Sequence, residues 1–313
     1  MKIAYLFPGQ GSQSPGMLAA FEKEAGVIRK TFDEASAIMG RDLWALAQQG
    51  SAEELNQTVV TQPLMLTAGI ATWRVAQARG MPAPNYVAGH SLGEYSALVA
   101  AQAMAFADAV GLVEQRARLM QDAVAEGEGA MAAVLGLDDV SVQAVCAEAE
   151  IGEVVEAVNF NAPGQVVIAG HRQAVSRACE LAKQAGAKRC IELPVSVPSH
   201  CRLMREASEQ LSEHLAQIAI SAPRIPVVHN VDVSVSSDAA GIRAALTAQL
   251  YRPVRWAQTI EWLRDQGIDR YVECGPGKVL AGLNRRIDRS LQCAALIDDG
   301  AIDNVLAELG ANA

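Results

Sequence analysis

The sequence predicts an α/β protein, a parallel sheet covered by helices, interrupted by a smaller βαββαβ insert. Three observations predict it. Short apolar runs end in turns rich in Gly and Pro and lead at once into segments of helical periodicity, the alternation that builds parallel sheets. That alternation breaks at Glu126-Gly127-Glu128-Gly129, and the element order that follows is that of a ferredoxin-like unit. Half of the 313 residues are hydrophobic, 19% are charged and only 4% are aromatic. The core is therefore large and made mostly of small aliphatic side chains, which suits helices packed closely on a sheet.

Taken in order, residues 2–7 form a short apolar run that stops at Pro8-Gly9-Gln10-Gly11 and read as a buried strand feeding a loop. Helical patterns cover 17–39, 43–49 and 63–79. Residues 86–88 form a second strand, a helix begins immediately at 92–101, and an amphipathic helix spans 106–125. Beyond the break come a strand at 130–135, a helix at 140–149, strands at 154–159 and 165–169, a helix at 174–185 and a strand at 188–193. Residues 194–198 close this unit. The α/β character then resumes with a helix at 201–217, a strand at 227–231, helices at 239–250 and 256–266, a strand at 270–273 and a helix after Gly277. The division this predicts is a discontinuous domain, residues 1–127 and 197–313, carrying an insert at 128–196.

Composition narrows the function. The 26 Lys and Arg against 35 Asp and Glu leave a net charge of −9, the opposite of the basic footprint of a nucleic-acid binder. The apolar run at the N-terminus reaches only from Ile3 to Phe7, short of the about 7 to 15 residues of a signal-peptide core. Residues 55–73 lack charge over a membrane-like length but include Asn56, Gln57, Thr61, Gln62 and Pro63, so they read as a loop and a buried helix and not as a membrane span. Six cysteines form no CxxC pair. Together these features predict a cytoplasmic protein with reduced core thiols, no disulfide and no metal site.

The strongest chemical signal is Gly89-His90-Ser91-Leu92-Gly93, a GxSxG placed between a strand and a helix. A nucleophile elbow needs small residues on both sides of the serine, because the turn is too tight for side chains there. Ser91 is thus a candidate nucleophile, the plainer alternative being a helix N-cap. A serine nucleophile needs a base. His90 is adjacent on an extended segment and points the other way, His214 sits at helical spacing with Leu211 and Ile218, and His171 opens a helix as a cap. His200, in the loop after Pro198-Ser199, and His229, within the strand at 227–231, remain as candidates.

Arg116 also stands out. At about 100° per residue it lies roughly 60° from Val113 on the apolar stripe of its helix, whereas Arg118 lies roughly 140° away, facing solvent. A core-bordering guanidinium calls for a buried anion, either a structural carboxylate or a substrate carboxylate held by the guanidinium fork. Two phosphate-loop readings fail: Ser14 stands where GxGxxG needs its third glycine, and Met17 where a P-loop needs lysine. The turn after the first strand can instead aim a backbone N–H at a reacting oxygen.

Seven ordered motifs then converge on a known family. They are Phe7-Pro8-Gly9-Gln10-Gly11-Ser12-Gln13, Gly89-His90-Ser91-Leu92-Gly93-Glu94-Tyr95, Gln115-Arg116-Ala117, Asn159-Phe160-Asn161-Ala162-Pro163-Gly164-Gln165, Val197-Pro198-Ser199-His200, Asn230-Val231-Asp232 and Gly275-Pro276-Gly277-Lys278-Val279-Leu280. Through them the chain resembles, nearly end to end, the malonyl-CoA:acyl carrier protein transacylases of bacterial fatty acid synthesis. The resemblance implies a hydrolase-like α/β domain with a ferredoxin-like insert, and a ping-pong acyl transfer from malonyl-CoA to the phosphopantetheine thiol of acyl carrier protein. It implies Ser91 as the acylated nucleophile and His200 as its base and later acid, the imidazole being oriented by the backbone carbonyl of Gln249. It further implies backbone N–H groups of Gln10 and Leu92 as the oxyanion hole, Arg116 as the clamp for the malonyl carboxylate, and Asn161 and Gln165 as cleft residues. No bound cofactor, metal, nucleic acid or membrane is implied. His229 departs from the Asn common at that position in the family, which makes it a second titrating group near the site.

The same residues would serve a stand-alone acyltransferase of a polyketide synthase, or a serine esterase or thioesterase, although a hydrolase has no use for a core-bordering arginine. A non-catalytic scaffold would have no reason to carry both the elbow and His200. The carrier implied is acidic, so a chain of charge −9 must meet it with local basic patches. Arg285, Arg286 and Arg289 are candidates, as are Arg172, Arg177, Lys183, Lys188 and Arg189 of the insert; solvated faces are the alternative for each.

Overall fold

The computed structural model describes residues 1–195 and 197–310; residue 196, where the expected insert ends, and residues 311–313 of the expected larger domain lie outside them. The chain begins with β1 (Ile3–Phe7), buried at every residue. It continues through α1 (Ala25–Met39), α2 (Leu43–Gln49), α3 (Ala52–Leu55) and α4 (Thr58–Ala78) to β2 (Tyr86–Gly89), α5 (Gly93–Ala100) and α6 (Phe106–Asp122). A compact run follows: β3 (Gly129–Leu135), α7 (Asp139–Ala149), β4 (Val155–Ala162), β5 (Gln165–His171), α8 (Arg172–Gln184) and β6 (Arg189–Glu192). The remainder comprises α9 (Arg205–Gln217), β7 (Val227–Val228), α10 (Ala239–Gln249), α11 (Trp256–Asp265), β8 (Arg270–Cys274), α12 (Val279–Ile287), β9 (Gln292–Leu296) and α13 (Asp299–Gly310).

Two sheets result. The larger has the order β7-β2-β1-β8-β9 with every pairing parallel, and the smaller, β4-β5-β3-β6, is antiparallel throughout. The smaller order is that of a ferredoxin-like unit, with α7 and α8 packed against its strands through Val142, Val145, Val175 and Ala178. In the larger unit β1 is central, and its neighbours are in step with it: Phe7 lies opposite Gly89 and Leu6 opposite Glu273.

The uncharged stretch read as a loop and a buried helix lies mostly in α4, buried on nearly all sides. Its polar residues are accommodated locally, since the hydroxyls of Thr61, Thr67 and Thr72 donate to carbonyls four residues back. Pro63 removes the N–H that would have reached Val59, and Arg41 Nη2 donates to that Val59 carbonyl at 2.9 Å instead. Among the described residues no helix is long and apolar enough to cross a membrane.

Several expectations need correction. The first helix starts at Ala25 and not at residue 17, because Gly16 and Leu18 adopt positive φ (78° and 64°) and turn the chain. The strand expected at 227–231 stops at Val228, and His229 then accepts a turn, its N–H donating to Ser234. β9 and α13 were not expected; β9 carries only small or polar residues before Leu296 and has no apolar run to signal it. Cys179 and Cys190 form a disulfide with Cα atoms 5.4 Å apart, contrary to the expectation of reduced thiols throughout. They are brought together by the packing of α8 against β6, a contact that a search for CxxC spacing does not register.

The smaller sheet sits on the larger unit through an apolar seam of Met131, Val158, Val167, Ala169 and Cys201. Main-chain bonds extend it: Val254 N–H donates to Val158 and Phe160 N–H to Val254. Arg202 adds ion pairs with Glu150 and Glu156 at the exposed rim. Exposed pairs are worth less than about 1 kcal/mol, whereas removing two buried methyl groups costs roughly 2 kcal/mol. Val167→Ala should therefore lower unfolding stability in urea by more than Arg202→Ala; the reverse order would assign the seam to its charges.

Candidate active site

The carboxyl ends of β1, β2 and β7 converge on one crevice, the place where parallel sheets present ligand sites. Immediately after β2 the chain makes its tightest turn, with Ser91 at φ 51°. A Cβ on Gly89 would lie 1.9 Å from the Gly93 carbonyl carbon, and one on Gly93 would lie 2.0 Å from the Phe7 oxygen. Only glycine fits at both positions. Asn230 pins the turn: its Oδ1 accepts from Ser91 N–H and its Nδ2 donates to the Gly89 carbonyl, both at 2.7 Å.

Ser91 Oγ lies 2.7 Å from His200 Nε2, and His200 Nδ1 lies 2.7 Å from the Gln249 backbone oxygen. A carbonyl only accepts, so it fixes the imidazole proton on Nδ1 and leaves the Nε2 lone pair toward the serine. His200 is held in the left-handed region (φ 67°) by its N–H bond to Leu250. Burial, and after it the Arg116 guanidinium, lowers the His200 pKa to about 3. The ring is thus neutral at pH 7, as a base must be. His229, the other candidate, lies elsewhere: its Nδ1 donates to Glu94 Oε1 at 2.8 Å.

Arg116 is 1% exposed. It donates to Gln62 Oε1 (2.6 Å), Gln249 Oε1 (3.2 Å) and Ser91 Oγ (3.3 Å), and its guanidinium lies over the Tyr95 ring. All three acceptors are neutral, and Nε has no partner among the described residues. Burial draws its pKa down, yet an arginine keeps its proton. Of the two anions anticipated for it, no structural carboxylate is among these hydrogen-bond partners; Glu94 acts on it only through space, which leaves its donors open to a ligand. Arg118 pairs with Glu114 at the surface.

The cavity in front of Ser91 is lined by Gln10, Leu92, Arg116 and His200, with Met131 and Val197 among its apolar walls. Among the described residues the backbone N–H groups of Gln10 and Leu92 donate to no protein acceptor, which leaves two donors beside the serine. The loop carrying Gln10 is braced by the Gly-Pro-Gly motif: a Cβ on Gly275 would meet the Pro8 ring at 2.7 Å. Glu273 accepts from Leu280 and Ala281 N–H at the start of α12, and burial pushes its pKa up to about 7.

Other assignments change. Gln165 is not part of the cavity wall; its side chain reaches out to Arg286 across the groove between the units. Asn161 Oδ1 accepts from His90 Nε2 at 2.7 Å and also stands behind the wall, which Asn159 lines in its place. His171 stands at the N-cap of α8 as expected, but its side chain makes no cap bond; its Nδ1 accepts from Val154 N–H. Gln62 escaped the sequence reading as a site residue, and Glu94, Asn159 and Asn230 entered it only within motifs. A carboxylate one helical turn after the candidate serine, in an otherwise apolar helix, was the available signal for Glu94.

A family model for the acyl transferase domain matches residues 4–297. The chain is 55% identical over 301 residues to the malonyl CoA-acyl carrier protein transacylase of Escherichia coli (strain K12), covering 96% of this chain and 97% of that protein. It is similar to the solved acyl carrier protein S-malonyltransferase of Vibrio cholerae, with a TM-score of 0.94 and 52% identity over 97% of this chain and 100% of that one. It is also similar to a chain from a type II polyketide synthase acyl-carrier protein in complex with its malonyl-transacylase. There the TM-score is 0.97, with 51% identity over 98% of this chain and 100% of that one.

The elbow yields a direct prediction. Gly93→Ala drives a methyl group into the Phe7 carbonyl, an overpacking that should lower stability by more than about 3 kcal/mol. Urea unfolding measures it, and an unchanged midpoint would mean that the turn can relax.

Proposed function

The chain belongs to the acyl transferase family, and we infer from this that it is an enzyme moving the malonyl group of malonyl-CoA to the phosphopantetheine thiol of acyl carrier protein, for fatty acid biosynthesis. The observation that carries this reading is a buried guanidinium with neutral partners only, 3.3 Å from a serine hydroxyl that itself faces an imidazole at 2.7 Å. One charge is placed for the carboxylate end of a short acyl group, and the nucleophile is placed for its thioester end.

The chemistry follows from these positions. Ser91 Oγ attacks the thioester carbon as its proton passes to His200 Nε2. Negative charge grows on the carbonyl oxygen, toward which the Gln10 and Leu92 N–H groups are free to donate, a contribution of roughly 3 kcal/mol each. The C–S bond breaks, His200 returns the proton to the CoA sulfur, and a malonyl ester remains on Ser91. The carrier thiol then gives its proton to His200 and attacks the ester; the C–O bond to Ser91 breaks and His200 returns the proton to Ser91 Oγ, so the two half-reactions share one set of groups. This scheme uses no resident cofactor or metal. It would serve equally for supplying a polyketide synthase carrier, a reading that the likeness to a polyketide transacylase supports; a panel of purified carriers separates the two. On the sequence reading above we place the enzyme in the cytoplasm, where a reducing thiol pool would act on Cys179 and Cys190.

Intact mass after mixing with malonyl-CoA tests the reading: a malonyl adduct that persists until carrier is added supports it, and rapid release of malonate indicates a hydrolase. Arg116→Ala should reduce kcat/KM roughly 100-fold or more with malonyl-CoA but less than about tenfold with acetyl-CoA, because only the former loses charge-assisted hydrogen bonds. Equal losses would remove the clamp.

For the carrier, we propose docking at the exposed Arg285 and Arg286 on the last turn of α12. Arg172, Arg177 and Lys183 of the smaller unit are already paired with Glu192, Glu153 and Glu180, which cancels their fields locally. Reversing both charges, Arg285→Glu with Arg286→Glu, should raise the carrier KM roughly tenfold at low salt and leave the malonyl-CoA KM in place. An unchanged carrier KM would move the docking surface elsewhere.

A further inference from the structure

Beneath the reacting groups lies a buried acid that the transfer scheme does not use. Glu94 stands on the first turn of α5, fully buried. Its Oε1 accepts from His229 Nδ1 at 2.8 Å; its Oε2 accepts from Asn230 N–H at 3.0 Å and from Gln249 Nε2 at 2.8 Å. Asn230 is the residue that pins the Ser91 turn. Gln249 gives its backbone oxygen to His200, its Oε1 to Arg116, and a second Nε2 hydrogen bond to the Ser91 carbonyl at 3.0 Å.

We propose that Glu94, held by His229, is a positioning residue for the transfer: through Gln249 and Asn230 its carboxylate sets Ser91, His200 and Arg116 relative to one another. The proposal deepens the malonyl-transfer reading and rests on it. The physical reason is the symmetry of an amide. Gln249 could turn either end toward Arg116, and an NH₂ group facing the guanidinium would offer it no acceptor. An acceptor at Glu94 Oε2 selects the orientation in which Nε2 points toward Glu94 and the Ser91 carbonyl while Oε1 faces Arg116. His229 occupies the other carboxylate oxygen and keeps Oε2 available for both neutral donors.

The titratable and charged groups around this pair are Tyr95 on α5, Arg116 on α6 and Asp232 beyond β7. Burial opposes a charge on His229, but the Glu94 hydrogen bond and charge, with Asp232, outweigh it and raise its pKa. His229 Nε2 has no partner among the described residues, so the ring is committed to Glu94 alone.

The test compares Glu94→Gln with Glu94→Met, reading kcat and KM for malonyl transfer alongside thermal unfolding. Glutamine can offer its amide oxygen to Asn230 and Gln249 and its NH₂ to a neutral His229, so kcat should stay within about tenfold of the wild type. Methionine comes close in volume and offers only the weak acceptor of a thioether. It should lower kcat at least about 100-fold while KM moves less than about threefold, and because it strands one member of a buried pair it should also lower the unfolding temperature. Should the single methionine variant not fold, Glu94→Met combined with His229→Leu removes the stranded imidazole and carries the same expectation. The proposal is overturned if the methionine variant keeps kcat within about tenfold, if glutamine loses as much as methionine, or if the loss lies in KM alone. Wild-type malonyl transfer is measured in the same series, so a wild type that transfers no malonyl group would count against the functional reading and not against Glu94.

Discussion

The turn at Ser91 is the constraint on which the rest of the site depends. Its positive φ is tolerable only because two glycines let the strand end, the helix start and the neighbouring β1 approach at distances no Cβ permits. That closeness has three consequences. It lifts the serine oxygen clear of the sheet, it leaves the Leu92 N–H without an acceptor among the described residues, and it brings the Ser91 carbonyl and N–H within reach of Gln249 and Asn230. Strain at one residue is thus held by side chains from the two segments that follow the smaller unit.

Placing a cation, a neutral imidazole and a carboxylate in one dry volume is ordinarily unfavourable. Here the charges are separated by role. Glu94 and His229 satisfy each other below the elbow. Among the described residues Arg116 donates to amide and hydroxyl oxygens, a set that keeps it hydrogen-bonded without cancelling its charge. The two glutamines matter for that reason: a glutamate at position 62 or 249 would neutralise the guanidinium and take the place of an incoming carboxylate.

Local chemistry was legible in the sequence where it depends on near neighbours. The GxSxG between an apolar run and a helix marks the elbow, because the steric demand acts within five residues. The helical phase of Arg116 shows it turning from solvent, because a helix repeats regularly. What remained unreadable depends on packing between distant segments. Gln62 lies 54 residues from Arg116 and Glu94 135 residues from His229, and nothing in either segment announces its partner. The same limit explains Gln165, whose motif suggested the cleft but whose side chain finds Arg286 on α12. It also explains the Cys179–Cys190 bridge, set by how one helix lies on one strand, and β9, whose small residues carry no apolar pattern.

The low pKa of His200 connects the recognition of an acyl group with its transfer. Burial contributes most and the Arg116 cation next, so compensating that cation would relieve the smaller part of the shift. On the reading proposed for Arg116, a carboxylate docked there cancels part of the field, and the pKa of His200 rises toward the range in which a general base is efficient. An acyl group without a carboxylate leaves the field in place. The guanidinium would then discriminate twice, once in holding the substrate and once in tuning the base that acts on it. That coupling requires Arg116 and His200 to share one low-dielectric pocket, and the shared contacts to Gln249, by its side-chain oxygen to the first and its backbone oxygen to the second, keep them there.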